Sequence, residues 1–137
     1  MFDGFNKIVM AAPDSDPVVQ LYTETFGGKV TFQEDREQWG IKVTLIEVGS
    51  CVVEVMSPIT DDSIIAEFLQ HNPDGGLTGV GIATANLEEF RTQAKAAGLA
   101  FTGGEQELMP MANNTREGFV LNKKSLFGVT LTVSREK

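Results

Sequence analysis

The 137 residues hold one cysteine, one histidine, one tryptophan and one tyrosine. Cys51 alone can close no internal disulfide, and with His71 as the sole imidazole a Cys/His zinc site within one chain is excluded. The absence of disulfides fits a reducing cytoplasm, the expected location. Basic residues are also scarce, 11 Lys and Arg against 19 Asp and Glu, for a net charge of −8. Such a surface does not suit nucleic acid or an anionic membrane, because phosphate binding needs clustered Lys and Arg. Long apolar runs are missing too. Nothing approaches the roughly 20 residues that span a bilayer. The stretch Met1–Pro13 has only Ile8–Ala12 as an apolar run and no basic flank, so no signal peptide is read there. Disorder is expected only at Ser134–Lys137.

What is present is 42% hydrophobic sequence, enough for one domain over 1–137 and too little for two ordinary ones. Phe5–Ala12 reads as a strand. Asp16 is a candidate N-cap with Pro17 in the first helical position, and Val18, Leu21, Tyr22 and Phe26 form an apolar helix face that Gly27-Gly28 ends. Lys29–Phe32 is a short strand, and Glu34, Asp35, Arg36 and Glu37 an exposed hairpin loop. Ile41–Val48 and Cys51–Met56 are strands joined at Gly49-Ser50. A helix over Asp61–Leu69 turns Ile64, Ile65, Phe68 and Leu69 inward, and the turn Asn72–Gly76 follows.

The pattern then restarts. Leu77–Thr84 is a strand. Asn86 and Glu89 form a capping box for a helix with Leu87, Phe90, Ala94 and Ala97 inward and Gly98 as its stop. Strands follow at Ala100–Thr102, Gly118–Leu121 and Gly128–Val133, with a polar loop over Glu105–Thr115. Strand-then-helix openings at Asn6–Ala12 and Thr78–Thr84 mark a duplication. The expected architecture is α+β: a βαβββ module over 5–57, a bridging helix and turn over 58–76, and a second βαβββ module over 77–134, the two paired into a curved mixed sheet that encloses a cleft.

This arrangement resembles the vicinal oxygen chelate superfamily of glyoxalases, ring-cleaving dioxygenases and bleomycin-resistance proteins, and within it the methylmalonyl-CoA epimerases. The likeness is carried by Pro13–Asp16 leading to Tyr22–Gly27, by Val53–Pro58, by His71-Asn72 before Gly76-Leu77, and by Asn122–Ser125 before Gly128-Val129. The resemblance implies a divalent metal held by four side chains, and allots their positions to Lys7, Glu54, Gly79 and Thr132. Only Glu54 is a metal ligand by chemistry, so no metal and no other cofactor is expected. His71 falls at a helix end, where it reads as a cap or surface residue.

Strand alternation groups Lys7 with Phe5 and Val9, Glu54 with Met56, Gly79 with Gly81, and Thr132 with Thr130. On the resembled layout these residues line the cleft, with Met109 and Arg116 at its rim as further substrate-binding candidates. An ammonium on an apolar face is costly unless paired, and Glu54 is the evident partner for Lys7. The pair can be a structural plug, or it can be catalytic, Lys7 stabilising an oxyanion while Glu54 moves a proton. Two readings stand: a metal-independent isomerase, cyclase or lyase acting beside the carbonyl of a small substrate or acyl thioester, or a small-molecule sequestering protein. Epimerase activity of the resembled kind is a further alternative, and a homodimer is expected. Among weaker candidates, Asn113 and Asn114 read as a solvated loop, Trp39 as a strand-edge aromatic or lid, Lys123 and Lys124 as a solvated turn, and Cys51 as a buried inert thiol.

Overall fold

A computed structural model describes residues 2–102, 108–111 and 113–137. The chain divides into two compact units, one of Lys7–Thr78, the other of Gly79–Lys137 together with the first residues up to Asn6. Among the described residues the strands and α-helices run as β1 (Gly4–Ala11), α1 (Ser15–Gln20), β2 (Lys29–Arg36), β3 (Ile41–Val48), β4 (Cys51–Pro58), α2 (Ala66–His71), β5 (Gly76–Ala83), α3 (Leu87–Ala96), β6 (Met109–Pro110), β7 (Arg116–Leu121) and β8 (Thr130–Glu136).

In the unit Lys7–Thr78 the strand order is β2-β3-β4-β1. The hairpin at Gly49-Ser50 makes β3 and β4 antiparallel, with Val48 opposite Cys51. The Lys7–Ala11 stretch of β1 lies parallel to β4, Ile8 opposite Val53 and Val9 opposite Glu54. One face carries the core: Ala12, Ile46, Val53 and Val55 are buried, with Ile8, Met10, Val18, Val19 and Tyr22 packed on them. Helix α1 starts two residues earlier than expected. Its N-cap is Asp14, whose Oδ1 accepts from the Asp16 amide at 3.0 Å, and Asp16 is a first-turn carboxylate. From Leu21 to Thr25 the winding becomes that of a π-helix. The wider turn breaks the four-residue spacing, so Val18 and Tyr22 face the core while Leu21 and Phe26 are exposed.

Other boundaries shift for local reasons. β2 continues through Glu34 and Asp35 to Arg36, because an edge strand tolerates charge, and Glu37–Trp39 forms a 3-10 turn in place of the expected loop. Ser63 ties the chain ahead of α2 by accepting from the Ile65 amide at 3.2 Å, so that helix begins at Ala66 and Ile64 points to solvent.

The second unit has the order β5-β8-β7-β6, the same succession of corresponding strands as the first. Its core is Leu87, Phe90 and Ala94 of α3 against Phe119, Leu121 and Val133. The Asn86 side chain accepts from the Glu89 amide at 3.0 Å and donates to the Glu89 carboxylate, while the Asn86 amide bonds to Thr84 Oγ1 at 3.2 Å, so the cap forms as expected without the return bond of a full capping box. Ala97 is exposed beyond the last helical turn, and Gly98 takes φ +73° to end it. Ala100–Thr102 is no strand but a single bridge, Phe101 to Leu121. Met109 and Pro110 of the expected loop pair with Gly118 and Glu117, while its residues 105–107 and 112 lie outside the described ones. β8 starts at Thr130 and runs through the expected disordered tail to Glu136, with Arg135 bonded to Glu117 directly across the ladder at 2.7 Å.

Two stability outcomes follow. Phe119→Ala removes a fully buried ring and should lower unfolding free energy by about 3–5 kcal/mol in urea denaturation. Asp14→Ala should lower it by about 1 kcal/mol through loss of the cap, and Asp16→Ala by less.

Candidate active site

The parallel register of β1 on β4 sets the site. Val9 lies opposite Glu54 and Lys7 opposite Val52, so Lys7 and Glu54 are diagonal neighbours on the face turned away from α1. β3 adds Leu45 opposite Glu54 and Val43 opposite Met56. Val9, Val43 and Leu45 are buried. On this apolar face the Lys7 Nζ donates to Glu54 Oε1 at 3.4 Å, with the two side chains 14% and 15% exposed.

That contact is long for a charge-assisted hydrogen bond, whose optimum lies near 2.7–2.9 Å. An ammonium has three donors and a carboxylate several acceptor sites. Neither side chain has another hydrogen-bond partner among the described residues. The pair is therefore neutralised without being saturated, and donor and acceptor capacity remains for a third group.

The remaining candidates fall as follows. Phe5 is 72% exposed. Met56 is half-buried beside Val43. In the other unit Gly79 pairs with Thr130 and Gly81 with Thr132, on the face opposite Val133 and the α3 core. Met109 is half-buried opposite Gly118. Arg116 donates from Nε to Ser134 Oγ at 2.9 Å and from Nη2 to the Ser134 carbonyl at 3.1 Å. Ser134, which anchors that guanidinium, was missed as a site residue. Its alternation with Thr130 and Thr132 is the signal that would have found it.

The weaker candidates take structural places. His71 is the exposed last residue of α2, its Nδ1 2.9 Å from the Glu67 carbonyl. Trp39 sits in the 3-10 turn under the Arg36 guanidinium, 5.3 Å from the ring centre. Asn113 accepts from Thr115 within its own turn, and Lys123 and Lys124 are exposed in another, where Asn122 caps Lys124. Cys51 is half-buried at the start of β4.

At the four positions that the resemblance allots to a divalent metal, the chain offers an ammonium, a carboxylate already facing it, no side chain at all and a hydroxyl. That donor set does not fit a divalent cation. Among the described residues, no three His, Cys, Asp or Glu side chains gather where they could hold one. No helix there is long and apolar enough to cross a membrane.

Residues 6–119 match the family model of the Glyoxalase/Bleomycin resistance protein/Dioxygenase superfamily. The chain is 28% identical over 109 residues to the ethylmalonyl-CoA/methylmalonyl-CoA epimerase of Cereibacter sphaeroides, covering 79% of this chain and 81% of that one. It is 29% identical over 82 residues to the human mitochondrial methylmalonyl-CoA epimerase, covering 60% of this chain and 47% of that longer one. Among solved structures, the methylmalonyl-CoA epimerase of Mycobacterium tuberculosis superposes with a TM-score of 0.85 at 18% identity, over 99% of this chain and 89% of that one. A methylmalonyl-CoA epimerase in complex with methylmalonyl-CoA and an ammonium ion matches equally well, TM-score 0.85 at 19% identity, over 99% and 96%. The fold is thus that of the epimerase structures, two βαβββ modules of the vicinal oxygen chelate type.

A double-mutant cycle measures the ion pair. Lys7→Met and Glu54→Leu should each lower stability by about 1–3 kcal/mol, by leaving one half-buried charge without its partner, and the double variant should lose clearly less than their sum.

Proposed function

Because the chain belongs to the Glyoxalase/Bleomycin resistance protein/Dioxygenase superfamily, whose epimerase members are among its relatives, we propose that it is an isomerase-type enzyme that moves a proton beside a carbonyl without a metal. The substrate class is a small carbonyl compound or acyl thioester. The observation that carries this reading is the unsaturated Lys7–Glu54 pair on an apolar face.

The chemistry requires two things: a base for the proton on the carbon next to the carbonyl, and a positive group for the charge that collects on oxygen. Glu54 takes the proton onto a carboxylate oxygen, and the electron pair of the C–H bond moves into the enolate. Lys7 donates a hydrogen bond to the enolate oxygen and holds its negative charge. Delivery of the proton from Glu54 to another atom of the same substrate gives isomerisation, expulsion of a leaving group by the enolate gives elimination, and epimerisation follows when a second donor such as water protonates the opposite face of the enolate. An ammonium serves where the donor set rejects a divalent cation, because both place positive charge at the oxyanion. An epimerase relative has been crystallised with methylmalonyl-CoA and an ammonium ion together. The apolar neighbours Val9, Val43 and Leu45 limit water around the pair, which strengthens both interactions.

The test is proton exchange. Methylmalonyl-CoA and a set of simple 2-substituted acyl thioesters and 2-methyl ketones are incubated with the chelator-treated protein in deuterium oxide and followed by proton NMR. Loss of the α-proton signal from at least one compound is expected. Lys7→Met and Glu54→Gln should each slow it at least a hundredfold, the scale of one acid–base or oxyanion contact. Full exchange in both variants would sink the mechanism. Tight binding of an intact compound with no exchange would establish the second reading, a sequestering protein. Activity that appears only on adding cobalt, manganese or zinc would restore a metal-dependent epimerase.

A further inference from the structure

We infer that Glu47 is the second acid of the site: it gives a proton to the face of the enolate opposite Glu54, which makes the reaction an inversion at the carbon beside the carbonyl. The inference rests on the Lys7–Glu54 reading and names the donor that reading leaves open.

The ladder of β1, β4 and β3 places Glu47. On β3 its neighbours Ile46 and Val48 both pack in the core under α1. Alternation turns Glu47 to the other face, together with Leu45. Glu47 lies opposite Val52 and Leu45 opposite Glu54, so Glu47 is the diagonal neighbour of Glu54, about 7–8 Å away between Cα atoms. On its other side Val52 lies opposite Lys7. Lys7, Val52 and Glu47 thus form one row across the sheet, with about 10 Å between its charged ends, and Glu54 stands in the next row. The three ionisable residues mark a triangle around the half-buried Val52.

Lys7 and Glu54 face one another, whereas Glu47 is exposed and makes no hydrogen bond or ion pair with any described residue, Lys29 opposite it on β2 included. Glu34, the further carboxylate of this face, stands on β2, one strand farther from Glu54, and contacts the Arg36 Nε at 3.3 Å. Inversion needs a base and an acid on opposite sides of one planar carbon, each about 3–3.5 Å from it, so their oxygens stand about 6–7 Å apart. A diagonal pair of glutamates spans that gap. Glu54 takes the α-proton, and the C–H electron pair passes into the enolate, whose oxygen Lys7 holds. Protonated Glu47 then gives its proton to the opposite face of the carbon and becomes a carboxylate. Glu54 releases its proton to solvent and the exposed Glu47 takes one back. The substrate loses one proton and gains one, with no change of oxidation state, and the hydrogen it gains comes from solvent.

The test separates exchange from inversion. 2-Methylbutanoyl-CoA and 2-phenylpropanoyl-CoA, each as a single enantiomer, are incubated with the chelator-treated chain in deuterium oxide. Proton NMR follows loss of the α-proton, and chiral chromatography with mass detection of the hydrolysed acids gives configuration and deuterium content. With the unchanged chain, the inverted acid is expected to carry deuterium. Glu47→Gln should cut the ratio of inversion to exchange about a hundredfold, the scale of one general acid, and Glu47→Asp, which keeps the acid, should restore part of it. A merely structural role would lower both processes together and leave the ratio alone. An unchanged ratio in Glu47→Gln, or exchange without inversion in the unchanged chain, overturns the proposal and leaves Lys7 and Glu54 standing. No loss of the α-proton from either thioester would end the Lys7–Glu54 reading for this substrate class, and this inference with it.

Discussion

The parallel pairing of Lys7–Ala11 with β4 fixes both what is buried and what is left reactive in its unit. Strand side chains alternate, so one register choice assigns every residue to a face. With Ile8 opposite Val53 and Val9 opposite Glu54, Ile8, Met10, Val53 and Val55 go under α1, and Lys7 and Glu54 are brought together on the other side. A slip of β1 by one residue would turn Lys7 toward Val18, Val19 and Tyr22 and carry Ile8 and Met10 out of the core. Burial of the apolar face therefore enforces the meeting of the two charges. Neither charge needs to be stabilising for the pair to persist.

This bears on how the pair is understood. Buried ion pairs are weak sources of stability, because desolvation offsets most of the attraction, and an apolar replacement is often as stable. A fold seeking stability alone at this place would do as well with two aliphatic residues, such as those already at Val9, Val43 and Leu45. Stability alone therefore does not account for the two charges at this place.

Much of this was legible in the sequence, and the failures share a cause. The duplication, the Gly49-Ser50 hairpin and the Asn86 cap follow from period and turn chemistry, which are local properties, whereas Glu54 as the partner of Lys7 came from the resembled layout and only the ladder brings the two together. The errors occur where a neighbour overrides the local signal. Phe26 follows the four-residue spacing of Val18 and Tyr22, but π-winding over Leu21–Thr25 carries it outward. Glu34 and Asp35 read as loop because of their charge, yet pairing with Val43 and Lys42 holds them in an edge strand. Ser134–Glu136 reads as a frayed end because it is polar, but Arg116 and Glu117 of β7 supply the cross-strand partners that order it.

The same blindness concealed the role of Ser134. A buried serine in a strand has little to distinguish it in one dimension. Only the ladder shows that Arg116, two residues offset on the neighbouring strand, reaches across to it. The two units thus present different chemistry on corresponding faces of the same fold. One carries a Lys–Glu ion pair among aliphatic side chains; the other carries a guanidinium held by Ser134 among glycines and threonines. A duplicated βαβββ module gives each copy the same strand order, and substitution at equivalent positions then differentiates them.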